Sequence, residues 1–470
     1  MNTTGNLRQL AAWVGNATVV GDPDQSFARV HTDTRTIEPG DLFVALQGEQ
    51  FDGNQFLVDA KNKGAVAAIA SSGALLAGSA LPGILVTDTK IALGALAKSW
   101  RQQMRVPLIA VTGSNGKTTV TQMVASILRA HEGERSLATQ GNLNNDIGVP
   151  LTLLRLRDTH CIAVIELGMN HPGEIASLAQ MAQPTVALVN NAQREHLEFM
   201  ANVESVASEN GKVIESLDSS GIAVLPLHDV FFPLWRALAK SGKCLSFGQD
   251  KDGVRADIGC APPAWHNGAW QVLAHTPGGS VQFALQIAGS HNVTNALAAM
   301  ACCAAAGVPL KAIREGLENF RAIKGRSLVH NVHIRNHALT LIDDSYNANP
   351  DSVRAGIEML AGMRRSQLLV LGDMGEVGDQ GLQFHAEIGA YAQSKGIDAL
   401  YTLGTLCQAS SGDFSGGRHF SDSESLCEAV LKNADQFASV LVKGSRFMRM
   451  ERVVQHLLAH AQPRQELACS

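Results

Sequence analysis

At 470 residues the chain is longer than one hydrophobic core ordinarily serves, and the usual domain size divides it into about three domains. Hydrophobic residues make up 45% and charged residues 17%, with 44 glycines, which describes an α/β protein rich in tight turns and excludes extended disorder. A formal charge of −5 leaves no broad basic surface for nucleic acid, so the expected partners are small molecules.

Met1 to Val20 has no basic segment leading into a long apolar one, so no secretory signal is read there. The first hundred residues alternate short apolar strands with turns, at Asp41 to Leu46, Val66 to Ala70 and Ile84 to Val86. This predicts a small α/β domain over residues 1–102. The run from Gly64 to Thr87 is uncharged and long enough to raise a membrane span. Alanine, glycine and serine dominate it, however, and Pro82-Gly83 divides it, so it reads as two buried strands with a helical connection and no transmembrane segment.

At Val106 the pattern changes. The strand Leu108 to Val111 runs into a glycine turn and then a helix from about Lys117 to Arg129. Buried strands follow at Cys161 to Ile165, Thr185 to Val189 and Gly221 to Leu225, separated by helical stretches, which predicts a mostly parallel sheet covered by helices in a central domain, 103–322. After Gly325-Arg326 the rhythm restarts at Leu339 to Ile342, Gln367 to Leu371, Ala399 to Leu403 and Ser439 to Val442, giving a Rossmann-like third domain, 323–470. Asn349 is placed to cap its first helix, with Pro350 in the first turn and Val353, Ile357 and Leu360 on one face. Ligands of open α/β sheets bind where strands end in such loops. Eight cysteines, from Cys161 to Cys469, include no Cys-x-x-Cys, and reducing, cytoplasmic surroundings are expected.

The strongest chemical signal is Thr112-Gly113-Ser114-Asn115-Gly116-Lys117-Thr118-Thr119, set between a buried strand and a helix. Glycines let successive amides converge on phosphate oxygens, the helix N-terminus adds its dipole, Lys117 brings charge and Thr118 offers a magnesium (Mg2+) ligand. The general P-loop pattern requires a glycine where this chain has Val111, so the match is to a shorter variant. Glu166 follows a buried strand, where a carboxylate faces the loop across neighbouring strand ends; with Thr118 it makes an economical magnesium site. A solvated turn glutamate is the plainer reading. His196 follows the next strand in Asn190-Asn191-Ala192-Gln193-Arg194-Glu195-His196-Leu197-Glu198. A lone loop histidine is more often a hydrogen-bonding residue than a ligand.

The phosphate loop resembles that of the Mur ligases and their folylpolyglutamate synthase relatives. So do Asn142 to Pro150, Gly289 to Ala296 and Lys443-Gly444-Ser445-Arg446, so that the resemblance spans nearly the whole chain. Asp343 to Pro350 and Leu371-Gly372-Asp373-Met374-Gly375-Glu376 look like the branch that adds D-alanyl-D-alanine; no Asp-Asn-Pro-Arg motif of the diaminopimelate-adding branch is found. The resemblance implies three domains, holding in turn a UDP-linked substrate, ATP and the incoming amino component. It implies that Gly113, Ser114, Asn115, Gly116, Lys117, Thr118 and Thr119 bind ATP phosphates, and that Glu166 and His196 serve magnesium. Asn292, Asn295, Asp344 and Asn349 are expected near the nucleotide, Arg326 at the transferring phosphate, and Thr34 and Arg35 at the UDP substrate. For each, a cap or turn role is the alternative, above all for Asn295 and Asn349. In many relatives a carbamylated lysine holds a second magnesium, but Asn210 stands at that position here. Lys212, about 200° further round a helix, does not substitute for it.

The chemistry implied is amide formation between UDP-N-acetylmuramoyl-tripeptide and D-alanyl-D-alanine by a monomeric enzyme. A carboxylate resists an amine, so it first takes the γ-phosphoryl of ATP, with Lys117, Arg326 and magnesium offsetting charge. The rival readings are a ligase of another amino acid, to a muramoyl peptide or a folate; a small-molecule kinase; and a nucleotide-binding switch that makes no bond.

Overall fold

A computed structural model describes residues 4–240 and 242–462; Cys469 lies outside them. The N-terminal part is built on a five-stranded sheet whose spatial order is Thr18–Val20, Gly83–Leu85, Ala67–Ala70, Asp41–Val44, Arg29–His31. The uncharged run resolves as expected into strands Ala67–Ala70 and Gly83–Leu85 joined by the helix Gly73–Ser79. No helix among the described residues is long and apolar enough to cross a membrane.

The central sheet has ten strands. Seven of them run parallel, in the order Ser136–Ala138, Ile162–Glu166, Leu108–Thr112, Val186–Val189, Ile222–Pro226, Lys243–Gln249 and Ile258–Cys260. Leu108–Thr112 is buried along its whole length because both faces are covered. Ala110, Ile165 and Ala187 face one core, while Ile109, Val111 and Val164 face the other, against the helices Lys117–Glu132 and His291–Ala305. Beyond Ile258–Cys260 the sheet turns antiparallel, through Ala269–Thr276 and its neighbours Ala264–His266 and Gly279–Leu285. This extension is not anticipated from the sequence. Its strands alternate buried and exposed residues, as one-sided antiparallel strands do, instead of forming continuous apolar runs.

The C-terminal sheet has six strands, ordered Leu328–Ile334, His337–Asp344, Ser439–Lys443, Gln367–Gly372, Ala399–Leu403, Arg418–Phe420. All neighbours are parallel except the first pair, a hairpin. The helix Pro350–Ala361 begins with Asn349 as N-cap, in a reciprocal capping box with Ser352.

The N-terminal and central parts share one hydrophobic core that runs from Leu7 to Trp235. Helix Thr89–Gln103 makes the join: Trp100 donates its indole N–H to the Leu156 carbonyl at 3.1 Å, and Arg101 reaches the carbonyls of Ala182 at 2.8 Å and Gln183 at 3.1 Å. These carbonyls close the helix Glu174–Ala182, so a buried cation sits at the negative end of a helix dipole. Trp100→Ala removes a nearly buried indole from this seam and is expected to cost about 3–5 kcal/mol. Denaturant unfolding measures the loss, and amide exchange is expected to rise first across residues 7–85.

Candidate active site

The chain leaves the strand Leu108–Thr112 and enters the helix Lys117–Glu132 through Gly113–Gly116. Gly113 and Gly116 adopt φ of +131° and +82°, a region that side chains avoid. A Cβ on Gly116 would lie 2.5 Å from Asn295 Oδ1, and one on Gly113 3.0 Å from Asn190. The helix has no side-chain cap, so its first amides are free to take an anion. Lys117 Nζ folds back onto the carbonyls of Gly113 at 2.6 Å and Ser114 at 2.9 Å, with Glu195 Oε2 at 3.3 Å.

Register places the first carboxylate. Glu166 pairs with Val111 in the adjacent parallel strand, which sets its side chain beside the start of the helix. Its Oε1 accepts from Thr118 Oγ1 at 3.1 Å and Asn144 Nδ2 at 2.8 Å; its Oε2 is buried and has no hydrogen-bond donor. A buried carboxylate oxygen aimed beside a P-loop threonine fits a hard divalent cation with oxygen ligands.

On the other side, Val189 pairs with Thr112, and the loop that follows clasps the phosphate loop. Ser114 N donates to Asn191 O at 3.0 Å, Asn115 N to Asn191 Oδ1 at 2.8 Å, and Asn190 Nδ2 to both Asn115 O at 2.7 Å and Asn295 Oδ1 at 3.0 Å. Asn292 accepts in turn from Asn295 at 2.9 Å. These asparagines fix the loop, with Asn295 at the Cβ position that Gly116 leaves empty.

The C-terminal domain meets this loop at three points. Asn349 and Asn115 exchange amide hydrogen bonds at 2.9 and 3.2 Å. Arg194 forks onto Asp351 at 2.7 Å and Glu387 at 2.8 Å. His196, held at φ +51°, brings Nδ1 to 2.5 Å from Glu376 Oε2, and this contact holds the Glu376 carboxyl below its ordinary range. Asp344 receives Lys443 Nζ at 2.6 Å, and Arg326 lies over the Tyr346 ring at 4.3 Å.

Most of these groups surround one cavity of about 1610 Å³, with Arg194 and Glu387 outside its lining. That exceeds the space one small ligand fills, so it suits several substrates held together. Ser114 to Thr119, Glu166, His196, Asn292, Asn295, Arg326, Asp344 and Asn349 line it; Gly113 supports it from behind through its carbonyl. Thr34 and Arg35 do not line it: they sit in a short 3-10 turn of the N-terminal domain, and Arg35 is 85% exposed and paired with Asp33. Asn210 is also away from it, fully buried, accepting from Thr112 Oγ1 at 2.7 Å and donating to Val206 O at 3.1 Å. Lys212 pairs with Glu215 at 2.9 Å near the surface. Sequence reasoning assigned no role to Arg194, Glu195 or Glu376. All three lie inside motifs already singled out, but only the tertiary structure shows what they face. A further buried group, Asp373, His385 and Cys407, is internally satisfied: His385 Nε2 accepts from Met374 N at 2.9 Å, and Asp373 from Cys407 N at 2.8 Å.

A phosphate loop at the carboxyl edge of a parallel sheet, closed over by a second α/β domain, defines a multidomain enzyme that works on a nucleotide. Three family models cover most of the chain: "Mur ligase family, catalytic domain" over 26–101, "Mur ligase middle domain" over 111–303 and "Mur ligase, glutamate ligase domain" over 325–446. The chain belongs to the Mur ligase family and is an ATP-dependent ligase. It is 39% identical, over 92% of its length and 94% of the relative's, to the UDP-N-acetylmuramoyl-tripeptide--D-alanyl-D-alanine ligase of Escherichia coli K12. It is 33% identical to the protein of that name from Bacillus subtilis, over 91% and 93% of the two chains. Among solved structures, MurF from Acinetobacter baumannii superposes with a TM-score of 0.88 at 33% identity, over 98% and 99% of the chains. The MurF ligase of Thermotoga maritima, in complex with ADP, does so at 0.80 and 25% identity, over 92% and 97%.

The Arg194 fork makes domain closure sensitive to acid. Arg194 holds the Glu387 carboxyl below its ordinary value, so the Glu387 arm of the link is complete above the usual glutamate range and is lost as pH falls through the lowered value, while the Asp351 arm remains. Arg194→Ala is expected to enlarge the radius of gyration at neutral pH in small-angle scattering. The difference from the unsubstituted protein should shrink as the pH drops below that lowered value.

Proposed function

We propose that the enzyme forms the amide bond between the peptide carboxylate of UDP-N-acetylmuramoyl-tripeptide and the amine of D-alanyl-D-alanine, in peptidoglycan precursor synthesis. The names of the relatives support this choice of substrates. The observation that carries it is the shared cavity, in which the phosphate loop touches the C-terminal domain at Asn349 and the neighbouring loop touches it through His196 and Glu376. Residues 1–102 then hold the UDP substrate, with Thr34 and Arg35 on that domain; 103–322 bind ATP; and 323–470 present the dipeptide.

In this reading the amides of Gly113 to Thr119 and the Lys117 ammonium take the phosphates of ATP, the ammonium swinging off its loop carbonyls to do so. Asn292, Asn295, Asp344 and Asn349 shape the nucleotide's surroundings. Thr118 and Glu166, with His196 nearby, would hold magnesium, which supplies positive charge against the phosphates. The peptide carboxylate attacks the γ-phosphoryl in line, with Arg326 placed to offset charge; the bond to the β-phosphate breaks, ADP leaves and an acyl phosphate is formed. The dipeptide amine attacks that carbonyl, and phosphate leaves. Holding both reactants in one closed cleft excludes water and supplies orientation. Dependence on ATP supports a cytoplasmic setting, and a cavity completed within one chain supports a monomer.

The test is phosphate release from ATP and magnesium with the UDP-tripeptide present, with and without D-alanyl-D-alanine, following the peptide product by mass. Release that needs the dipeptide, with one new amide per phosphate, is the expected result. Phosphate without joined product points to a switch, a phosphorylated substrate to a kinase, and activity with another amino acid alone to a different ligase. Lys117→Ala is expected to lower kcat at least about 100-fold and to lower the melting temperature of the free protein, because Glu195 is left as a buried anion without its lysine.

A further inference from the structure

Three carboxylate oxygens of cavity-lining residues are buried without a hydrogen-bond donor: Oε2 of Glu166, Oε1 of Glu195 and Oδ1 of Asp250, the last 3.7 Å from His275 Nε2. Glu166 and Glu195 are 1% and 7% exposed. An ionised carboxylate so placed needs a cation or a full set of donors. For Glu166 the cation proposed beside Thr118 answers that need. Glu195 has no such answer once the enzyme is loaded. Its Oε2 rests 3.3 Å from Lys117 Nζ and 3.7 Å from His196 Nε2, but Lys117 is the group that must turn toward phosphate. When it does, Glu195 is left as a buried anion beside a bound polyphosphate, which is itself strongly negative.

We infer that Glu195 is a ligand of a second divalent cation, bound when Lys117 moves to the nucleotide, with His196 as its companion ligand. This rests on the phosphoryl-transfer reading above. His196 stands beside Glu195: its Nε2 lies 3.7 Å from Glu195 Oε2, while Glu376 Oε2 lies against Nδ1 on the other side of the ring. The usual alternative does not fit this chain. Asn210, at the position where many relatives carry a carbamylated lysine, is fully buried with its amide oxygen and nitrogen committed to Thr112 and Val206. The negative charge therefore comes from the loop after Val186–Val189 and not from the helix Val203–Glu215, and it needs no carbon dioxide. The ligand class is a hard divalent ion, magnesium or manganese, which would supply positive charge between Glu195 and the nucleotide.

The experiment is manganese binding to the full chain, followed by electron paramagnetic resonance in the presence of a saturating non-hydrolysable ATP analogue. Two ions per chain are expected, unchanged when bicarbonate is stripped and unchanged in Asn210→Ala. Glu195→Gln, close in shape, is expected to keep the first ion and weaken the second at least about tenfold; Glu195→Asp should recover part of it. Thermal unfolding of Glu195→Gln without metal shows that the variant is folded, and its melting temperature should not fall, since a buried charge has been removed. Two equal ions in Glu195→Gln, a single ion in the unsubstituted enzyme, or loss of the second ion on removing bicarbonate would each overturn the inference. If a single ion binds while ligation proceeds, the ligase reading survives without it. If the analogue does not bind at all, the nucleotide reading itself fails.

Discussion

The parallel pairing of Leu108–Thr112 with its two neighbours sets the whole reaction centre. Glu166 stands beside Val111 and Val189 beside Thr112, so three loops leave the sheet at the same height: the phosphate loop, the Glu166 loop and the Asn190 to Glu198 loop. A parallel sheet makes this possible because every strand delivers its carboxyl end to one edge. The glycines at 113 and 116 then let the middle loop bend so tightly that Asn190 and Asn295 occupy the space where its side chains would have been. A slip of one residue in the Glu166 pairing would turn Glu166 into a core face and take its carboxylate away from Thr118.

The middle loop is built from asparagine amides instead of charges, and the reason is electrostatic. Fixed cations there would compete with Lys117 for phosphate, and fixed anions would repel it. Neutral amides hold the loop instead: Asn190 donates to the Asn115 carbonyl, Asn191 accepts from the Asn115 N–H, and Asn349 bonds the Asn115 side chain, without altering the net potential. Charge is placed one step outward, where Arg194 meets Asp351 and Glu387 and His196 meets Glu376. Both pairs join different domains, and both start from a loop hydrogen-bonded to the phosphate loop. Movement of the C-terminal domain is therefore mechanically tied to the nucleotide site through a few residues of chain.

Much of this was legible in the sequence, for physical reasons particular to each part. The phosphate loop is local, so its glycines, lysine and flanking strand and helix state their geometry directly. Strands such as Ile162–Glu166 are buried on both faces and advertise themselves as unbroken apolar runs. The cap at Asn349 is local too: its Oδ1 caps the helix while its Nδ2 reaches Asn115. The strands between Lys243 and Leu285 were not legible, because a half-solvated strand mixes polar and apolar residues as a loop does. Nor were Arg194, Glu195 and Glu376, since a charged residue in a loop looks the same whether it faces water or a second domain. Asn210 shows the limit from the other side: alignment placed it at a functional position, while helix geometry and the hydroxyl of Thr112 direct its side chain into the protein.

The resting charges around the cavity are arranged in exchangeable pairs. Lys117 leans on Glu195, Lys443 on Asp344 and His196 on Glu376, so no buried cation or anion in these pairs waits alone. A substrate that brings its own phosphates or carboxylates must break such a pair to be bound, and the energy it gains is reduced by what the pair was worth. The reduction has a use in a reaction with three substrates: a ligand that satisfies only half of a pair leaves a buried charge exposed to the low-dielectric interior, which disfavours partial occupancy. Full occupancy re-pairs every group at once, so the geometry in which the amine can reach the activated carboxylate is also the one in which the site's charges are balanced.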